Sequence, residues 1–268
     1  MAHSPSLSRL LKKETFPHLG TPEGKKADER VKDLQNQILR IQQGLFHQKG
    51  RAVIALEGFD ASGKGGFIRR LTEKLDPRGV TVHPIAAPSP QDQAKHYLYR
   101  FWQRLPAAGT LAVFDRTWYG RVLVERVDHL IPPPAWKRAY QEINEFERML
   151  TDDGIHLIKV FLAIDRDEQY RRFEARLKDP YKQWKLTEDD IRARKKWKDY
   201  VKATDDLLRE THTKWAPWTV IPANDKGHAR IQGLELIEES LHSYGKWMEK
   251  KASQGREDSL EKLLSKLK

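Results

Sequence analysis

The 268-residue sequence contains no cysteine. That single absence excludes disulfides, cysteine-bound zinc and thiol nucleophiles. No apolar run approaches the roughly 20 residues a membrane helix needs, so an integral membrane protein is not expected. The amino terminus lacks a charged stretch leading into an apolar one, so no secretory signal is read and a cytoplasmic location is expected. Internal repeats are absent too, as is any linker long enough to argue for two domains. Acidic residues are outnumbered: 38 Asp and Glu against 49 Lys and Arg, a formal net charge of +11. Such a field attracts polyanions and speeds their encounter. Charge alone leaves nucleic acid, an anionic membrane surface and a phosphate-rich substrate open as partners.

Hydrophobic residues make up 38% of the chain, enough for a sizeable core. Val31, Leu34, Ile38, Ile41 and Leu45 recur at steps of three and four, one apolar face of a helix. Short apolar runs at 52–56, 80–85, 111–115, 155–164 and 218–221 read as strands. Helical patterns fill the intervals at 66–75, 90–105, 117–128, 134–151, 165–178, 187–212 and 227–250. Strands alternating with helices predict an α/β fold, a parallel five-stranded sheet with helices on both faces. The expected organisation is a loose arm over 1–28, one domain over 29–250 with a helical lid at about 171–200, and a charged helix over 251–268. In that last segment Leu260, Leu263, Leu264 and Leu267 share a helical spacing. Tyr97, Phe101 and Trp102 are candidates for a base-stacking wall, with core packing as the competing use.

The chemistry concentrates where the first strand meets the first following helix. Gly58-Phe59-Asp60-Ala61-Ser62-Gly63-Lys64-Gly65 carries G-x-x-x-x-G-K in that strand–loop–helix setting. Glycines let backbone N–H groups turn inward, the helix end adds partial positive charge, and Lys64 adds a full one. The usual pattern places Ser or Thr after the lysine to hold Mg²⁺, and Gly65 stands there instead. A hard cation then needs other oxygens. Asp60, inside the loop, is one candidate, and Asp115, closing the third strand in the place of a Walker B carboxylate, is the other. The competing readings are a turn-stabilising Asp60 and an Asp115 that caps a helix. Arg116 and Arg121 follow, suited to clamping phosphate oxygens or to a surface ion pair. A basic segment with Arg171, Arg172, Arg176, Lys178, Lys182 and Lys185 lies between the fourth and fifth strands, where a mobile helix would bring cations over a transferring phosphate. A plain solvated face is the alternative.

With these residues in view, the chain resembles the polyphosphate kinase 2 family from about residue 29 to 245. The resemblance rests on Glu57–Gly66, on Asp115–Arg121 with Val124–Val127, on Asp179-Pro180 with Trp184–Thr187, on Ala216–Trp218 and on Ala223–Lys226. Members normally carry glycine after the loop lysine. The resemblance implies a P-loop kinase-like fold with a helical lid. It also implies Mg²⁺-dependent, reversible phosphoryl transfer between inorganic polyphosphate and a nucleoside mono- or diphosphate. Carried over by position, Asp60 and Asp115 hold metal and orient the acceptor phosphate. Lys64, Arg116 and Arg121 bind the reacting phosphates. Gly58, Ala61, Ser62, Gly63, Gly65 and Gly66 line the cradle, and Arg176 and Lys185 close over it. Arg69, Arg70, Lys74 and Arg78 are candidates to continue a basic track for polyphosphate. Residues 118–126 look most like the group that phosphorylates AMP, with ADP or GDP as the other acceptors. Members of that group often carry two fused copies where this chain carries one. A homodimer or homotetramer is implied, with no membrane and no nucleic acid as partner. An ATP-dependent nucleotide kinase explains the loop but gives the net charge less purpose, whereas a nucleic-acid-binding protein explains the charge and leaves Asp60, Lys64 and Asp115 without one.

Overall fold

The structure is a computed structural model that describes residues 4–12, 25–253 and 264–267. Five strands, β1 (Arg51–Gly58), β2 (Val80–Pro84), β3 (Thr110–Asp115), β4 (Ile155–Ala163) and β5 (Trp218–Pro222), form one sheet. Its order is β2-β3-β1-β4-β5, and every adjacent pair is parallel. The helices, in chain order, are α1 (Leu7–Leu10), α2 (Lys25–Gln48), α3 (Lys64–Thr72), α4 (Pro90–Gln93), α5 (Tyr99–Trp102) and α6 (Val124–Val127). They continue with α7 (Pro133–Asp152), α8 (Arg166–Lys178), α9 (Glu188–Lys195), α10 (Trp197–Thr211) and α11 (Lys226–Ser253). The predicted five-stranded parallel sheet is therefore present.

β1 is central, and Ala52 to Leu56 are wholly buried, as an apolar strand covered on both faces must be. On one face α2 and α11 pack along each other and against α3. On the other, α7 and α10 meet each other, with α6 and α1 beyond them. The α2–α11 approach depends on Gly44, where a Cβ would lie 2.2 Å from the Tyr244 carbonyl oxygen. Leu7 is buried, and its N–H donates to the Asp205 carboxylate of α10 at 2.7 Å, so part of the predicted loose arm is seated on the body.

One polar network crosses this core. Lys159, in the middle of β4, is fully buried with Glu147 of α7, Nζ to Oε2 2.7 Å. Lys159 also donates to the Thr211 carbonyl at 2.7 Å and to the Tyr119 hydroxyl at 3.0 Å. The other Glu147 oxygen accepts from Trp118 Nε1 at 3.0 Å and from the Tyr119 hydroxyl at 2.5 Å. Each polar group thus finds a partner, the condition for keeping a charge pair in an apolar core.

Three predicted helices are interrupted. The segment 90–105 makes only α4 and α5. Ala94 to His96 between them are exposed, so no buried face propagates the turn. The segment 117–128 starts as a 3₁₀ turn, Trp118–Arg121, and Leu123 breaks it from α6 with φ −106° and ψ −95°. The segment 187–212 divides at Lys196, whose Nζ is drawn to Asp128 at 2.8 Å. Leu260 and Leu263 lie outside the described residues, while Leu264 and Leu267 are exposed. Among the described residues no helix is long and apolar enough to cross a membrane.

Candidate active site

The strand order reverses around β1. From β1 the chain passes through α3 to β2, beyond β3. From β3 it passes through α7 to β4, on the far side of β1. The loops after β1 and β3 therefore part to opposite faces, and the crevice between their carboxyl ends is where open α/β sheets bind ligands.

The loop after β1 is held in a shape few residues adopt. Gly58 has φ +150°, and a Cβ on it would lie 2.5 Å from the Leu162 carbonyl oxygen and 2.8 Å from Ser62 Oγ. Ala61 has φ +62° and Gly63 φ +109°. Gly63 caps α3 without any side-chain bond to the helix's first N–H groups. Those groups and the helix dipole face the loop, an anion site of the helix N-terminal kind. The Ser62 hydroxyl is buried with no hydrogen-bond partner among the described residues. Gly65 and Gly66 form the first turn of α3, and a Cβ at Gly65 would meet nothing within 4 Å.

Lys64 Nζ donates to the carbonyls of Gly58 at 2.7 Å and Phe59 at 3.1 Å. Burial lowers its pKa, and Asp60, Asp115 and Glu57 counter part of that while Arg116 adds to it. An anion brought to the loop restores what burial takes away. Arg116 follows β3 with φ +65°, a strained region for any residue with a Cβ. Its guanidinium reaches Asp60 at 2.9 Å. Asp60, Lys64, Asp115 and Arg116 thus meet at one place. Arg121 sits at the end of the following 3₁₀ turn, bonded to Glu125 at 2.7 Å and stacked 4.7 Å from the Tyr97 ring centroid. Of the three aromatics considered for a wall, Phe101 is in the core and Trp102 packs on Phe146.

Other predicted residues lie elsewhere. Arg78 precedes β2, so it stands at the amino edge of the sheet, opposite the loop, exposed and paired with Asp76 at 2.6 Å. Arg176 points back into the segment 166–195, donating to the Lys185 carbonyl at 2.9 Å. The exposed Lys185 lies over the Trp184 ring. Arg172, grouped above with the lid cations, turns inward. It is buried and donates to the carbonyls of Ala61 and Ser62 at 2.8 Å each, and to that of Asn224 at 3.0 Å. Arg172 is therefore a brace for the phosphate loop.

Sequence reading assigned no role to two further features. Glu57 is buried at the end of β1, where burial pushes its pKa up against the Thr117 hydroxyl, Lys64 and Arg116. A charge closing an apolar strand was the available signal. The other feature is a cationic cluster at the start of α11. Burial, then Arg70 and Arg172, lower the pKa of Arg230. Burial, then Arg172, lower that of Lys226, with Arg230 and Lys182 adding to the effect. Arg230 lies beside the first turn of α3, its Nη2 3.6 Å from where a Gly66 Cβ would be.

A family model described as Polyphosphate kinase 2 (PPK2) matches residues 22–249. The Polyphosphate:AMP phosphotransferase of Pseudomonas syringae pv. tomato is 52% identical over 72% of this chain and 39% of that protein. The ADP-polyphosphate phosphotransferase of Pseudomonas aeruginosa is 40% identical over 76% of this chain and 67% of that one. The chain thus spans about two-fifths of the relatives named for AMP. The crystal structure of Polyphosphate Kinase 2 from Arthrobacter aurescens TC1 superposes with a TM-score of 0.80 at 33% identity, covering 91% of both chains. The fold is the P-loop kinase-like one that the loop and strand order require. With most of its length matched in sequence and in structure, the chain belongs to the polyphosphate kinase 2 family.

Proposed function

We propose that this chain transfers the terminal phosphate of inorganic polyphosphate to a nucleotide, with AMP as the preferred acceptor. The observation that carries the donor assignment is Arg230 beside the first turn of α3, with Arg70 and Lys226 within electrostatic reach of it. A nucleoside triphosphate donor would bring a base to that side of the loop. A bare polyanion brings only charge, and partly buried cations that also repel one another suit it. Such a track holds its ligand by electrostatics and counterion release, as a nucleic-acid backbone is held. The greater likeness to a relative named for AMP than to one named for ADP supports the acceptor.

Phosphoryl transfer asks the protein for alignment and charge stabilisation more than for covalent chemistry. Backbone N–H groups of 60–65 and Lys64 hold the donor's terminal phosphates. Arg116 and Arg121, across the crevice, hold the acceptor phosphate and the charge that develops on the transferred group. The acceptor is already ionised, so no strong general base is required. Asp60 and Asp115 are the residues that would hold Mg²⁺. Among the described residues no cluster of three or more His, Asp or Glu forms a cage for a metal. Two carboxylates fit Mg²⁺, which is commonly bound through one or two carboxylates together with substrate phosphates. When bound, Mg²⁺ neutralises phosphate charge. Action in the cytoplasm as a homodimer or homotetramer completes the reading.

Initial rates of purified protein with Mg²⁺, polyphosphate and AMP, ADP, GMP or GDP test it, with ATP as a competing donor to AMP. ADP formation from AMP and polyphosphate is expected to lead the series. A faster reaction with ATP as donor, or no transfer from polyphosphate to any of the four, overturns the proposal.

A further inference from the structure

We propose that Glu57 is the positioning residue for both arginines that follow β3, an inference that rests on the phosphotransfer reading above. Glu57 is only 4% exposed. A single oxygen, Oε1, accepts from both the Thr117 N–H and the Thr117 hydroxyl, each at 2.8 Å. The hydroxyl accepts in turn from the Tyr119 N–H at 3.1 Å, which caps the 3₁₀ turn Trp118–Arg121. One residue earlier on each strand, the Arg116 N–H donates to the Leu56 carbonyl at 3.1 Å. The last residues of β1 thus grip the backbone on which Arg116 and Arg121 are mounted.

The grip matters because Arg116 sits at φ +65°. A residue with a Cβ stays there only where its surroundings over-determine the conformation. Released, the turn relaxes toward φ below zero. The Arg116 guanidinium then swings away from Asp60, and Arg121 loses its fixed starting point. Glu57 touches neither phosphate nor nucleotide in this account. It acts through Thr117, and it couples the two sides of the crevice, since the same strand end carries the phosphate loop.

A Glu57 that merely stabilises the fold makes a different prediction, and the shared acceptor oxygen separates the two. In E57Q the amide oxygen accepts both Thr117 bonds, whereas E57A removes them. T117S keeps the hydroxyl, and the near-isosteric T117V removes it with little change in volume. The test measures kcat, KM for polyphosphate and melting temperature for all four variants. E57Q and T117S are expected within about threefold of the parent kcat. E57A and T117V are expected to fall about 10²-fold in kcat, the scale of an ångström-sized misplacement. KM for polyphosphate changes less than about threefold, because the loop and the cationic track are untouched. If E57A does not fold, T117V against T117S decides alone. Full kcat in T117V with only a lowered melting temperature overturns the proposal. Should the parent itself transfer no phosphate, the functional reading fails, and the positioning claim is judged on the crystal structure of T117V. Loss of positive φ at Arg116 and of its contact with Asp60 sustains it. An unchanged turn overturns it.

Discussion

Lys64→Ala is expected to leave a folded protein whose phosphoryl transfer falls by about 10²–10³-fold or more. The ammonium group lies inside the loop, bonded to the Gly58 and Phe59 carbonyls, and when it is removed Arg116 remains to offset Asp60 and Glu57. Stability should change little, because burial already penalises the charge. Catalysis should change greatly, because the charge that spreads over the phosphoryl oxygens loses its one lysine at the loop. Asp115→Asn is expected to behave similarly, through metal and acceptor alignment instead of donor charge. The comparison is kcat under saturating substrates beside a urea titration of each variant. Turnover within tenfold of the parent for K64A would remove the loop from the mechanism.

The second large effect concerns the fold. Lys159→Ala or Glu147→Ala strands the opposite charge in a core with 0% side-chain exposure at both positions. Breaking such a pair on one side costs about 3–5 kcal/mol. That is a large share of the about 5–15 kcal/mol that holds a typical domain together. Replacing both, as in Lys159→Met with Glu147→Leu, removes the stranded charge and should recover only part of the loss, because Trp118 Nε1, the Tyr119 hydroxyl and the Thr211 carbonyl each lose a partner. Urea midpoints of the singles and the double settle this. Single variants within about 1 kcal/mol of the parent would mean that water reaches the pair and the core is not as closed as described. Trp118 and Tyr119 donate to Glu147, so this network also underpins the turn that carries Arg121.

The sheet was legible because buried parallel strands are written as short apolar runs, and even Lys159 did not hide β4. The phosphate loop was legible because its backbone needs glycine where side chains would collide, at Gly58 above all. Broken helices were not legible. Apolar spacing continues through 117–128 and 187–212, while Leu123 takes a non-helical backbone shape and Lys196 is drawn to Asp128. Charged residues were the least readable. Arg172 and Arg176 are one helical turn apart, yet one braces the loop carbonyls and the other ties the segment 166–195 to itself. Beyond Glu168 on its own helix, the acceptors of Arg172 are backbone oxygens that converge only when β1 and β5 lie on either side of β4. Arg78 follows α3 closely in sequence, but α3 carries the chain to the far edge of the sheet. Arg230 joins the loop from more than 160 residues downstream, beyond the reach of any local pattern.

Everything proposed for this protein requires donor and acceptor to meet in the crevice between the carboxyl ends of β1 and β3. A crystal structure of the protein soaked with AMP, tripolyphosphate and Mg²⁺ tests it most directly. Tripolyphosphate is expected on the first turn of α3, running toward Lys226 and Arg230, and the AMP phosphate against Arg116 and Arg121. Either ligand bound away from that crevice, with the crevice itself accessible in the crystal, would contradict it.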